Sequence, residues 1–198
     1  QETQRMTQAI RNAPMLATRT SHIAPFFVME LVKKADALAA AGAPIIHLSI
    51  GEPDFTAPPL VVEAVQRAAA EGRSQYTAAM GIMPLREAIS QHYKDHWHLD
   101  IAPERIIVTA GASAALSLAC CALVNPGDAV LMADPGYPCN RHFVAAFDGV
   151  AQTVLTGPAE RFQLSSQLID AHWQPETRGI LVSSPANPTG TAIAEKEL

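Results

Sequence analysis

Apolar positions in the first hundred residues recur at helical spacing. Between 24 and 41, Val28, Leu31, Val32, Ala35, Leu38 and Ala39 share one face, and Gly42 follows where a helix end favours glycine. Pro58 and Pro59 suit a first helical turn, which needs no proline N–H. Val61, Val62, Val65, Ala68 and Ala69 then line one face up to Gly72, and Leu85, Ala88, Ile89 and His92 predict a third helix. IIHLSIG (45–51) reads as a short buried strand, SQYTAAMG (74–81) as a loop, and residues 1–23 as a polar, irregular arm. After Pro103 the pattern alternates. Strands are predicted at 105–111, 128–135, 150–156 and 178–184, with helices at 112–125, 141–147 and 165–173 between them. Such alternation implies crossover connections and an α/β fold: a mostly parallel sheet with helices on both faces. Ligands of such sheets sit at the carboxyl ends of strands. The loops to inspect are therefore 110–113, 134–138 and 184–190. At Ala194 a new helical pattern opens and is left unfinished, so the sequence is expected to be the N-terminal part of a longer chain.

Composition narrows the function classes. The chain has 198 residues, 48% hydrophobic and 17% charged, a balance that builds a core and not a disordered segment. A net charge of -5 leaves no electrostatic footprint for nucleic acid. No apolar run reaches the roughly 18 residues of a membrane span, and the N-terminus lacks a secretory apolar core. Cys120 and Cys121 are adjacent and Cys139 stands apart. With no CxxC pair, they read as buried free thiols in a reducing cytoplasm, with no metal site. His92 and His96 have i, i+4 spacing but no carboxylate arrangement of the HExxH kind.

Five motifs carry candidate chemistry. VTAGASAAL (108–116) is a strand, a small-residue turn and a helix. Gly111 and Ala112 admit close approach, Ser113 adds a hydroxyl, and the helix N-terminus favours an anion such as phosphate. DPGYPCN (134–140) presents Tyr137 from a proline- and glycine-fixed turn, where its ring can stack on a planar ligand. SSPANPTG (183–190) places the Asn187 amide at the sheet's carboxyl edge. SIGEPDF (49–55) has an acidic turn after Gly51, and QYTAAMGIMPLREAI (75–89) holds Tyr76 in a loop. Taken singly, each is also an ordinary turn.

In this order the five motifs resemble the class I/II, fold-type-I pyridoxal-phosphate-dependent aminotransferases, from about residue 24 to 198. The resemblance implies that the chain is a truncated part of such an enzyme's large domain. Residues 1–45 would form an arm and first helix serving the dimer and small domain. Residues 46–198 would form an incomplete cofactor-binding domain. It implies pyridoxal 5'-phosphate as cofactor, with its phosphate on Gly111, Ala112 and Ser113. Tyr137 would stack on the pyridine ring and Asn187 would bond the ring's phenolic oxygen across a cis Asn187–Pro188 bond. Tyr76 would reach the phosphate of a neighbouring subunit in a homodimer, and Gly51 would lie over the substrate carboxylate. The implied reaction moves an amino group between an amino acid and a 2-oxo acid. Ala112 stands where relatives often have a second glycine, tolerable if its φ is negative. The family's Schiff-base lysine falls after the NPTG motif and has no counterpart here: Lys196 is too close, and Lys33, Lys34 and Lys94 lie in helical stretches. The catalytic set is therefore expected to be missing and the 198 residues alone inactive.

Rival readings explain less. An α/β-hydrolase with Ser113, Asp170 and His172 would need the last two outside a helical pattern. A dinucleotide fold would need two more glycines than GASAAL supplies. A cofactor-sensing, aminotransferase-like domain of a regulator would carry a basic DNA-binding segment.

Overall fold

The computed structural model describes residues 16–198; the earlier part of the expected arm lies outside the described residues. The chain forms two compact units. One contains the described part of Gln1–Phe27 with Leu116–Leu198, and the other is Val28–Ala115.

The first unit is built on three parallel strands, β1 (Ala129–Asp134), β2 (Val150–Leu155) and β3 (Thr177–Leu181), in the order β2-β1-β3. Ala129 lies opposite Val150 and Asp134 opposite Leu155, and on the other side Met132 lies opposite Leu181. The central strand AVLM is buried throughout, as expected of a parallel strand covered on both faces. Val130 and Met132 meet Cys120 of α4 (Gly111–Leu123) and Val144 of α5 (Cys139–Ala145) on one face. Leu131 meets Val154 and Leu164 on the other, beneath Leu168 and Ile169 of α6 (Ser166–His172). The Ser165 hydroxyl caps α6 by accepting the Leu168 N–H at 3.2 Å. The helices therefore lie on both faces of the sheet, as the alternation predicts.

Gly149 turns the chain from α5 into β2. A Cβ there would lie 2.5 Å from Val124 Cγ1 and 2.9 Å from Val144 Cγ1, so the close packing admits only glycine. Beside it, Asp148 accepts Arg19 at 3.0 Å, and Arg19 also donates to the Ala146 carbonyl at 3.3 Å. These bonds tie a 3-10 turn, Thr18–His22, to the end of α5, giving order to the arm where the sequence predicted none.

The second unit is helical: most of α1 (Phe27–Ala40), then α2 (Pro59–Ala70) and α3 (Met83–Trp97). The third helix runs a full turn past His92, and His98, in the left-handed region at φ 56, ends it. Arg86, 7% exposed, donates from Nε to the carbonyls of Pro103 and Ile106, and Ser90 donates to that of Ile101.

Three local expectations are corrected. Residues 45–51 form no strand, and Ile46 and Leu48 are 85% and 89% exposed. Their apolar, β-branched pattern is that of a strand, but among the described residues nothing pairs with them, and a strand exists only by pairing. Residues 105–111 form no strand either: a 3-10 turn, Pro103–Arg105, leads into an extended segment whose one backbone–backbone bond to a distant segment, among the described residues, is Val108 N–H to the Met80 carbonyl. The pattern at 194 yields a 3-10 turn, Glu195–Glu197, and not an α-helix. Among the described residues no helix is long and apolar enough to cross a membrane.

Candidate active site

The strand order creates the site. From β1 the chain moves to β2 on one side, then crosses back to β3 on the other, so β1 and β3 flank a topological switch point. Loops leaving such a pair diverge and open a crevice at their carboxyl ends. The loops in question are DPGYPCN after β1 and the 182–191 segment after β3. A cleft there is lined by Tyr137, Asn140, Phe162, Gln163, Ser183 and Asn187, among others.

Tyr137 is held by its turn. The Asp134–Pro135 bond is cis, and a Cβ on Gly136 would lie 2.7 Å from the Ala133 carbonyl oxygen. The tyrosine ring meets Phe26 nearly at right angles, with centroids 6.3 Å apart. The Cys139 thiol is the main influence on its hydroxyl. Hydrogen bonding with Cys139 first, then partial burial and the Cys139 charge, holds the phenol pKa above its ordinary value.

Asn187 lies in a loop closed on itself. The Ala186 N–H donates to the Thr191 carbonyl at 2.8 Å and the Gly190 N–H to the Ala186 carbonyl at 2.7 Å. The Ser184–Pro185 and Asn187–Pro188 bonds are both cis, the second as the resemblance implied. Asn187 is exposed, and its amide has no protein partner among the described residues.

The remaining expected residues belong to the second unit. Gly111 opens the 13-residue helix α4 with φ 81, and a Cβ there would meet open space. Thr109 Oγ1 donates to the Gly111 carbonyl at 2.9 Å and shapes the turn. Ala112 follows with negative φ, so the missing second glycine strains nothing. Ser113 stands in the first helical turn. Gly51 is exposed with open space around it, and Tyr76 is fully exposed in its loop. The donor types fit pyridoxal phosphate: helix-terminal N–H groups suit a phosphate, the Tyr137 face a pyridine ring, and the Asn187 amide a phenolate oxygen.

Sequence reasoning missed Phe26, Asn140, Phe162 and Gln163. Gln163 sits in RFQLSS, where nothing distinguishes a buried amide from a surface one. The hydrolase reading fails locally: Asp170 and His172 both lie on α6, and His172 Nδ1 is bonded to the Leu168 carbonyl at 2.8 Å. His92 and His96 stack at 4.1 Å with Trp97 against them, and no cluster of three metal-ligating side chains occurs among the described residues.

The chain is similar to known proteins over most of its length. The chain is 37% identical over 179 residues to the (5-formylfuran-3-yl)methyl phosphate transaminase of Methanocaldococcus jannaschii, covering 90% of this chain and 46% of that protein. It is 36% identical to the valine–pyruvate aminotransferase of Mycobacterium tuberculosis, covering 89% and 45%. The aspartate aminotransferase from Thermus thermophilus superimposes with a TM-score of 0.87 at 33% identity, covering 93% of this chain and 48% of that one. The chain thus spans about half the length of the relatives it matches. The family model for aminotransferase class I and II matches residues 43–198. The motif order, the parallel sheet and this match agree, and the chain belongs to the aminotransferase class I and II family.

Proposed function

We propose that the protein of which this chain forms part transfers an amino group between an amino acid and a 2-oxo acid with pyridoxal phosphate. The observation that carries this is the joint placement of Tyr137 and Asn187 on one cleft at the switch point between β1 and β3. When bound, the cofactor supplies an electron sink for the carbanion left by loss of the α-proton. Tyr137 stacks on its ring and fixes the ring plane. Asn187 donates to the phenolic oxygen, biasing the ring electronics. The first-turn amides at Gly111, Ala112 and Ser113 neutralise the phosphate. Gly51 lines the carboxylate end of the substrate, and Tyr76 serves the cofactor phosphate of a partner subunit in a homodimer. Residues 1–45 serve the dimer and smaller domain, and 46–198 the cofactor-binding domain. Exposed Phe55 and Leu155, 78% and 84% accessible, are consistent with surface that a larger assembly covers. Of the three free cysteines, expected to be buried, only Cys120 is; Cys139 is half-buried and Cys121 exposed, and a reducing cytoplasm would keep them as thiols. None of Lys33, Lys34, Lys94 and Lys196 matches the position that the resemblance gives the Schiff-base lysine, so the 198 residues alone are expected to be inactive.

The test is amino transfer by the longest polypeptide carrying this chain, assayed over a panel of amino acids and 2-oxo acids, with retained cofactor measured by absorbance. Retained cofactor and turnover, lost together in Asn187→Ala with Tyr137→Ala, are expected. A purified protein that retains none and transfers nothing would overturn the proposal, and turnover by the 198 residues alone would overturn the expectation that they are inactive.

A further inference from the structure

Gln163 is a polar side chain with 7% exposure, in the turn between β2 and α6. Its Nε2 donates to the Thr191 carbonyl at 2.7 Å, with Thr191 Oγ1 at 3.1 Å and the Ser183 carbonyl at 3.4 Å. Those two carbonyls belong to opposite ends of the loop that carries Asn187. One buried amide therefore ties the two ends together, from an element about 20 residues away in sequence. The neighbouring Arg161 reaches the Thr191 end of the loop, donating to the Ala192 carbonyl at 3.3 Å. Arg161 and Phe162 are both left-handed, at φ 54 and 56, and two consecutive non-glycine residues in that region are costly. Strain of this kind persists only where surrounding contacts over-determine it. The contacts are the Gln163 and Arg161 bonds to the loop, with Phe162 forming part of the cleft wall.

We propose that Gln163 is a positioning residue that staples the 183–191 loop and so sets the direction of the Asn187 amide in the cleft. A buried amide whose donors lose their acceptors is expensive, so the loop and the Gln163 turn hold each other in one geometry. The Ile193 N–H, donating to Ser184 Oγ at 3.0 Å, also joins the two ends, and the Gln163 bonds add a buried tie from both ends to the turn between β2 and α6. The proposal rests on the function assigned above to Asn187, and its test separates the two.

The first measurement is amide hydrogen exchange on the full chain. Ala186 and Gly190 are expected to be protected, and Gln163→Met, of similar volume without donors, is expected to expose them. Free exchange of both amides in the unaltered chain would overturn the staple, whether or not the variant folds. The second is pyridoxal phosphate affinity, with the pH dependence of the bound cofactor's absorption, in Gln163→Met, Asn187→Ala and the double variant. Removing a hydrogen bond to a charged oxygen weakens binding about tenfold or more. If Gln163 acts through Asn187, each single variant loses a similar factor, the absorption titration shifts alike, and the double variant loses little more than either. Multiplying losses in the double variant would overturn positioning through Asn187. Unchanged affinity in Asn187→Ala would instead overturn the cofactor role of Asn187, while the exchange data judge the staple separately.

Discussion

Leu131 and Leu155 offer a matched pair for measuring how much the buried face of the sheet stabilises the fold. Leu131 is fully buried in β1 against Val154 and Leu164, whereas Leu155, on the adjacent strand, is 84% exposed. Leu131→Ala removes three buried carbons, about 2.4 kcal/mol at roughly 0.8 kcal/mol each. The cavity adds to this, because Val154, Leu164 and Leu168 are held by the strand and the capped helix and collapse only in part. The total should be about 3–4 kcal/mol, within the range seen for buried leucines. That is a large part of the ~5–15 kcal/mol by which a domain is stable. In urea unfolding the midpoint should fall with an unchanged slope, and the melting temperature should drop by roughly 6–15 °C. In the same 198-residue chain, Leu155→Ala, the same chemical change without burial, should move stability by about 0.5 kcal/mol or less. Equal shifts in the two variants, or a loss below about 1 kcal/mol in Leu131→Ala, would refute the assignment of Leu131 to a close-packed core.

Two further outcomes follow from the geometry. Gly42 and Gly81 both have φ near 90°, but a Cβ at Gly42 meets nothing, while one at Gly81 lies 2.6 Å from Val108 Cγ2 and 2.7 Å from Val108 Cβ. Gly42→Ala should cost about 1–2 kcal/mol of left-handed strain, and Gly81→Ala about 1–3 kcal/mol more from overpacking; equal denaturant midpoints would contradict the contact. Because the fold favours the neutral Tyr137 phenol, its contribution is full below the ordinary phenol range near ~10 and is lost as pH rises through the raised value. Cys139→Ala should bring the Tyr137 phenol back down in an ultraviolet titration, and an unmoved alkaline limb would rule out Cys139 as the cause.

Much of the fold is legible in the sequence where local rules suffice. The helices at 27–40, 59–70 and 111–123 follow from apolar periodicity and from glycine or proline at their ends, features that act within one or two turns. The alternation after 125 is equally local, and right-handed crossover geometry turns it into a parallel sheet without reference to distant contacts. Motif order placed Tyr137 and Asn187 in loops after strands, where the structure has them.

Pairing and burial lie beyond local rules. IIHLSIG and RIIVT have strand-like sequences, but a strand needs a neighbour at hydrogen-bonding distance, and no local pattern specifies one. Nor does sequence show that β3 crosses back over β1 and so makes the switch point that brings Tyr137 and Asn187 to one cleft. Phe26 and Gln163 are the clearest cases. An aromatic ring beside Tyr137 from more than a hundred residues away, and a buried amide tying both ends of the Asn187 loop, are set by non-local packing. The sequence by itself determined which segments coil or extend and which chemistry sits in their turns. Tertiary structure decided which turns meet and which polar groups are buried, because those depend on contacts between residues far apart along the chain.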